Sequence, residues 1–129
     1  MTTTPDFLGQ AVKFRTAMTQ PIGTFSPSTL STQLRLITEE YEEFAEAYGL
    51  CLANIQNPRA RIAALKELAD LVYVCFQFAA AAGWELDEAL DRVHQSNMSK
   101  LVDGKPLKRE DGKVLKGPNY KPPYLDDLT

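Results

Sequence analysis

From Leu30 to Ile55, apolar residues recur with alternating steps of four and three: Leu30, Leu34, Ile37, Tyr41, Phe44, Tyr48, Cys51 and Ile55. That repeat lays an apolar seam along a helix of the kind packed in bundles. The helix opens at Ser26-Pro27, where serine caps orphan N–H groups and proline supplies a helical φ at a position that needs no donor. Thr4-Pro5 gives the same signal earlier. It predicts a first helix with Phe7, Ala11, Phe14 and Met18 on one face, broken by Gln20-Pro21-Ile22-Gly23. Asn57-Pro58 opens a third, whose stripe is Ile62, Leu65, Ala69, Val72, Phe76 and Ala79. From Leu71 onward nearly every position of that helix is apolar, and a helix apolar all round is buried all round. A small bundle encloses such a helix with difficulty, so a second copy of the chain is expected against it, and Gly83 is the expected stop. A fourth helix is predicted from about Leu86 to Leu101. Leu86, Leu90, Val93, Met98 and Leu101 point inward, with Asn97 on or beside that face.

Beyond Leu101 the periodicity ends. Asp103-Gly104-Lys105-Pro106 and Glu110-Asp111-Gly112-Lys113 are turn sequences, Leu107 to Leu115 fits a short hairpin, and Asn119 to Tyr124 should be extended. The expected fold is all-α. Residues 1–102 form a four-helix unit, and 103–129 form a basic, irregular tail of the same domain. The composition, 129 residues and 44% apolar, suits one globular domain. A net charge of −3 argues against a general nucleic-acid binder, whose affinity would rest on a basic surface. Its distribution says more. Five glutamates lie between Glu39 and Glu46, whereas Lys100 to Lys121 holds seven Lys/Arg against three acids, so an acidic helix and a basic tail are available to face one ligand. Asp70 and Gln77 interrupt the longest apolar run, so no membrane span is expected. The start Met1-Thr2-Thr3-Thr4-Pro5-Asp6 has no basic stretch before an apolar core, and a cytoplasmic protein is expected. Cys51 and Cys75 sit among apolar neighbours, as buried free thiols would.

Two acidic pairs carry the candidate chemistry. Residues three apart share a helix face, so Glu40 pairs with Glu43 and Glu67 with Asp70. If the second and third helices pack side by side, four carboxylates converge. Like charges that close stay ionised only with something positive between them. Glu40 and Glu43 fall on a stripe with Leu36 and Ala47, roughly 90° from the seam centre, flanking the core. The plain alternative is that these acids make salt bridges on a solvated surface. Asp70 weighs against it, because it begins the most apolar stretch of the chain, where an unpaired carboxylate is costly. Lys66, one turn earlier, could pair with it. Oxygen-only ligands point to Mg²⁺ or Mn²⁺, not zinc. A di-iron bundle would need Glu-x-x-His on two helices, and the single histidine, His94, is in no such motif. Mg²⁺ keeps waters and binds phosphates, which suggests chemistry on a phosphate ester or anhydride. Lys100, Lys113 and Lys116 could then neutralise a polyphosphate and Asn97 hydrogen-bond it. Those lysines would equally serve as solubilising charge.

Glu39-Glu40-x-x-Glu43 followed by Glu67-x-x-Asp70 resembles the signature of the all-α nucleoside triphosphate pyrophosphohydrolases. That superfamily comprises MazG, dimeric dUTPases, dCTP pyrophosphatases and phosphoribosyl-ATP pyrophosphohydrolase. The stretch from His94 to Leu101, with Asp103 to Pro106 and Gly112 to Gly117, looks like small single-domain MazG-like proteins of phages and bacteria. The resemblance implies that Glu40, Glu43, Glu67 and Asp70 bind Mg²⁺, with Mn²⁺ as a substitute, and that Glu39 holds a further ion or the attacking water. Water would attack the α-phosphorus of a nucleoside triphosphate, releasing a monophosphate and pyrophosphate. It also implies a dimer or tetramer, a base-contacting aromatic at Phe25 (a residue that could instead staple the helix start), and, if the chain is phage-encoded, action in the host cytoplasm. Among these proteins the MazZ branch converts dGTP to dGMP, which makes dGTP or GTP the first substrate expected. Broad dNTP house-cleaning and a non-catalytic helical interaction protein are the rivals.

Overall fold

The computed structural model describes residues 4–129, and the reading of the first three residues as part of a leaderless start lies outside them. The described chain holds four α-helices and no strand: α1 (Phe7–Ala17), α2 (Pro27–Ala53), α3 (Pro58–Ala82) and α4 (Leu86–Met98). The all-α expectation holds. The chain divides into two compact units, one ending at Trp84 and one running Glu85–Thr129.

In the first unit α3 packs against both α2 and α1. Two of the three proline starts hold as read. Ser26 Oγ accepts from Thr29 N at 3.4 Å, and Asn57 Oδ1 accepts from Arg59 N at 3.0 Å. The first start does not. Asp6, not Thr4, caps α1, because its carboxylate reaches Gly9 N at 2.9 Å, one turn in. Aromatic pairs join α1 to α3: Phe7 with Phe76, centroids 5.9 Å apart, and Phe14 edge-on to Tyr73 at 5.8 Å.

The end of α3 is the densest part of the core, with Phe76, Gln77 and Ala79 to Ala82 all buried. Alanines let backbone approach there. Gly23 N and Thr24 N donate to the carbonyls of Ala80 and Ala81 at 2.9 and 2.8 Å, satisfying acceptors that a helix end leaves open. Gly83 then closes the helix at φ +80°, as its place in the sequence predicted. Trp84 follows, flanked by Phe78 at 5.5 Å and Phe25 at 5.9 Å.

The α2 seam is turned from its expected position. The buried residues of α2 are Gln33 and Ala47, in line with half-buried Glu40, while Leu34 and Tyr41 (each 58% exposed) and Tyr48 face outward. Periodicity finds the most apolar face of a helix, and α3 covers a different one. Ile62, Leu65 and Val72 of α3 are likewise exposed.

In the second unit α4 ends at Met98, three residues before the expected Leu101. Leu90, Val93 and Met98 are exposed, and Ser96 is the buried residue of this helix. Ser96 Oγ donates to Lys121 O at 2.7 Å, and Arg92 binds Asp127 through two hydrogen bonds of 2.6 and 3.1 Å. Polar anchors of this kind hold the tail against α4. Residues 107–115 fold back through a Lys108–Val114 bridge and a Leu115 N to Leu107 O bond of 2.7 Å. Both cysteines are free and half-buried.

Candidate metal centre

The turn at Asn54 to Asn57 folds α3 back along α2, which brings the two acidic stretches side by side. Glu40 from α2 meets Glu67 and Asp70 from α3. One carboxylate oxygen of each lies within 4.8 Å of the others, and all three residues are half-buried. Oxygens bound to one hard cation at about 2.0–2.6 Å lie at most about 4–5 Å from each other, so the spacing suits a shared ion.

Two further observations bear on the fit. Glu40 Oε2 and Glu67 Oε2 are buried and meet no hydrogen-bond donor. Burial pushes the Glu40 carboxyl above its ordinary range, helped by the neighbouring carboxylates of Glu43, Asp70 and Glu67. An anionic oxygen out of water without a partner is unfavourable, and a cation is the partner that would serve several at once. The plain alternative also finds support, since Lys66 Nζ lies 2.6 Å from Asp70 Oδ2 and 3.7 Å from Glu67 Oε1. Its side chain is 67% exposed, however, and it leaves both orphaned oxygens as they are. The donor set therefore fits a divalent cation better than it fits a self-contained ion pair.

The other sequence candidates are placed as follows. Glu43 is an exposed neighbour of Glu40 and stands outside the group of three, and Glu39 is exposed. Phe25 is 68% exposed with its ring beside Trp84. Asn97, Lys100, Lys113 and Lys116 belong to the second unit. There Asn97 is exposed and Lys100 half-buried, Lys113 N donates to Asp111 Oδ1 at 3.1 Å, and Lys116 Nζ stands over the Tyr120 ring at 4.7 Å. Sequence reading missed Arg15. It is 1% exposed in α1, and donates from Nε to Pro21 O at 2.7 Å and from Nη1 to Gln77 Oε1 at 3.3 Å. The one available signal was Gln77, a polar residue in the most apolar run of the chain.

Among known proteins, no curated sequence matches the chain. The sequence model of the phosphoribosyl-ATP pyrophosphohydrolase family matches residues 10–97, more than half of the chain. The match takes in α2, α3 and both acidic pairs, and stops before the tail. Architecture, acidic pairs and sequence match agree: the chain belongs to the phosphoribosyl-ATP pyrophosphohydrolase family, a MazG-like all-α family.

Proposed function

We propose that this protein hydrolyses a nucleoside triphosphate to the monophosphate and pyrophosphate in a Mg²⁺-dependent reaction, with Mn²⁺ as a substitute. The observation that carries the proposal is the group of Glu40, Glu67 and Asp70, two of whose buried oxygens have no partner. With Glu43 alongside, these residues would hold the cation. Bound there, the ion supplies charge that polarises a phosphoryl oxygen and lowers the pKa of water. Glu39 orients the attacking water by accepting its hydrogen bond. The new bond forms between water oxygen and the α-phosphorus as the α–β anhydride bond breaks; pyrophosphate leaves with the bridging oxygen, and the proton lost by water passes to solvent. Phe25 would contact the base, and Asn97, Lys100, Lys113 and Lys116 remain the sequence's candidates for neutralising phosphate, from this chain or a neighbouring copy.

The first substrates to test are dGTP and GTP, followed by the other dNTPs and by phosphoribosyl-ATP, which the family's name brings in. The protein is mixed with each nucleotide and Mg²⁺, and pyrophosphate release is measured against orthophosphate. Pyrophosphate from one nucleotide fixes the substrate, and from several it identifies a house-cleaning enzyme. The Lys66 pairing favours a second reading, a non-catalytic helical interaction protein whose acids serve as surface charge. No release from any nucleotide would favour that reading over ours.

A further inference from the structure

A buried polar layer lies along the same helices, and the proposed reaction does not use it. Gln33 precedes Glu40 by seven residues on α2, and Gln77 follows Asp70 by seven on α3. Because α3 folds back along α2, two turns in these opposite directions along the sequence lead to one place. It stands about 10 Å from the acidic layer, on the same helix faces. Arg15 of α1 joins it there. Arg15, Gln33 and Gln77 are 1%, 6% and 4% exposed.

Hydrogen bonding in this layer is short of one bond. Arg15 Nε donates to Pro21 O at 2.7 Å, and Nη1 donates to Gln77 Oε1 at 3.3 Å. A guanidinium only donates, which identifies the Gln77 atom facing it as the oxygen and leaves Nε2 as the donor on the other side of the amide. Gln77 Nε2 has no partner among the described residues, and neither has Gln33 Oε1. One is a donor and the other an acceptor, both are closed to water, and a bond between them satisfies both.

That bond bears on which side of α2 is turned inward. Leu34, Tyr41 and Tyr48 each follow by one position a residue of the inward face, Gln33, Glu40 and Ala47. One position is about 100° of helix, so a turn of α2 by that angle would lay its apolar seam on α3 and carry Glu40 away from Glu67 and Asp70. Burial of apolar surface alone favours the turned arrangement, yet the observed one buries the small and polar face. With Leu34 in the place of Gln33, Gln77 Nε2 would meet no acceptor, and an unmade bond in a buried layer is costly. Arg15 keeps Gln77 from turning away. A single buried polar contact specifies helix pairing in other bundles by the same physics. We propose that Gln33, Gln77 and Arg15 are positioning residues: Gln77, held by Arg15, donates to Gln33, and that bond selects the face of α2 that brings Glu40 to Glu67 and Asp70.

The whole protein, isotopically labelled for resonance spectroscopy, is compared with Gln33→Met, which keeps the length without an acceptor, and with Gln33→Glu, which restores an acceptor oxygen. Circular dichroism checks that each is helical. In the parent, the Gln77 side-chain amide protons should exchange slowly with water and show nuclear Overhauser effects to Gln33. In Gln33→Met they should shift, and the rings of Tyr41 and Tyr48 should approach α3. A Mn²⁺ titration, followed by the paramagnetic signal of the free ion, reads the acidic group; this arm rests on the metal reading above. Gln33→Met should bind Mn²⁺ at least about tenfold more weakly than the parent, and Gln33→Glu within about threefold of it. Absence of the Gln77–Gln33 contact in the parent, or Mn²⁺ bound by Gln33→Met as tightly as by the parent, overturns the proposal. So does Mn²⁺ binding by Gln33→Glu as weak as by Gln33→Met, the mark of a residue that only fills space. A parent that takes up no Mn²⁺ overturns the metal reading instead, and the Gln77 contact and the tyrosine movement then decide the positioning by themselves.

Discussion

Lys66 holds Asp70 at 2.6 Å, and replacing either partner tells a surface ion pair from a ligand. Lys66 is exposed and Asp70 half-buried, and pairs open to solvent on one side contribute about 0–1 kcal/mol. Lys66→Ala should therefore cost less than about 1 kcal/mol in urea unfolding, while divalent-ion binding persists or tightens because a competing cation is gone. Asp70→Asn should behave differently. It keeps the shape and removes one of several crowded charges, so the fold survives within about 1 kcal/mol. Turnover should fall by more than the roughly 10–100-fold typical of losing a supporting residue near a metal. Normal turnover in this variant would remove Asp70 from the ligand set. The acids were legible in the sequence because a carboxylate in an apolar run needs an explanation that the run itself does not give. Arg15 was not legible. Its neighbours Lys13 and Thr16 look like a solvated face, and what buries it comes from the Pro21 turn and from Gln77, far along the chain.

Helix ends were the most readable elements, since caps depend on a few adjacent residues. Gly83 shows why. At φ +80° an L side chain is strained, and a Cβ there would also meet Gly23 Cα at 3.1 Å, backbone that cannot swing aside. Gly83→Ala should cost about 1–2 kcal/mol or more, read as a lower denaturation midpoint with an unchanged slope. Helix faces were less readable. Glu40, expected to flank the core, lies in line with buried Gln33 and Ala47, because α3 packs on the small and polar side of α2. The inward face assigned to α4 failed for a related reason: the tail is held to it by Ser96 and Arg92, through hydrogen bonds that no apolar pattern announces. The Arg92 pair gives a pH signature. Its guanidinium holds the Asp127 carboxyl below the ordinary 3.8. A depressed carboxylate stabilises the fold above its unfolded pKa and loses that contribution as pH falls through the folded one. Protection of the tail amides from hydrogen exchange should therefore be level above about pH 4 and decline below it, and Asp127→Asn should flatten that decline. Both groups are solvated, so added salt should shrink the effect.

For the whole molecule, a second copy was expected because α3 is apolar all round from Leu71 onward, too apolar for one small bundle to enclose. The end of that stretch is enclosed within the chain, Phe76 and Ala79 to Ala82 being at most 8% exposed, while Val72 and Tyr73 near its start are exposed. Exposed apolar side chains continue from there along the helices, on Ile62 and Leu65 of α3, with Leu65 at 67% exposed, and on Leu34, Tyr41 and Tyr48 of α2. No helix of the described chain is long and apolar enough to cross a membrane, so a bilayer-spanning role does not account for that surface. Large side chains repeated at seven-residue spacing on α2 are what a helix–helix interface needs, and apolar patches of this extent mark contact surfaces. Self-association through this surface is therefore our reading. It would also put the acidic group, whose residues α2 and α3 carry, on elements shared with the interface. Sedimentation of the whole protein should give a dimer or larger species at micromolar concentration. Tyr41→Lys with Leu65→Glu should shift it toward monomer while helical circular dichroism is retained, since neither side chain is buried within the chain. If the doubly substituted protein still sediments as the parent does, the interface lies on another face. If the parent is itself monomeric, the exposed seam awaits a different partner, and any nucleotide hydrolysis must be completed by one chain.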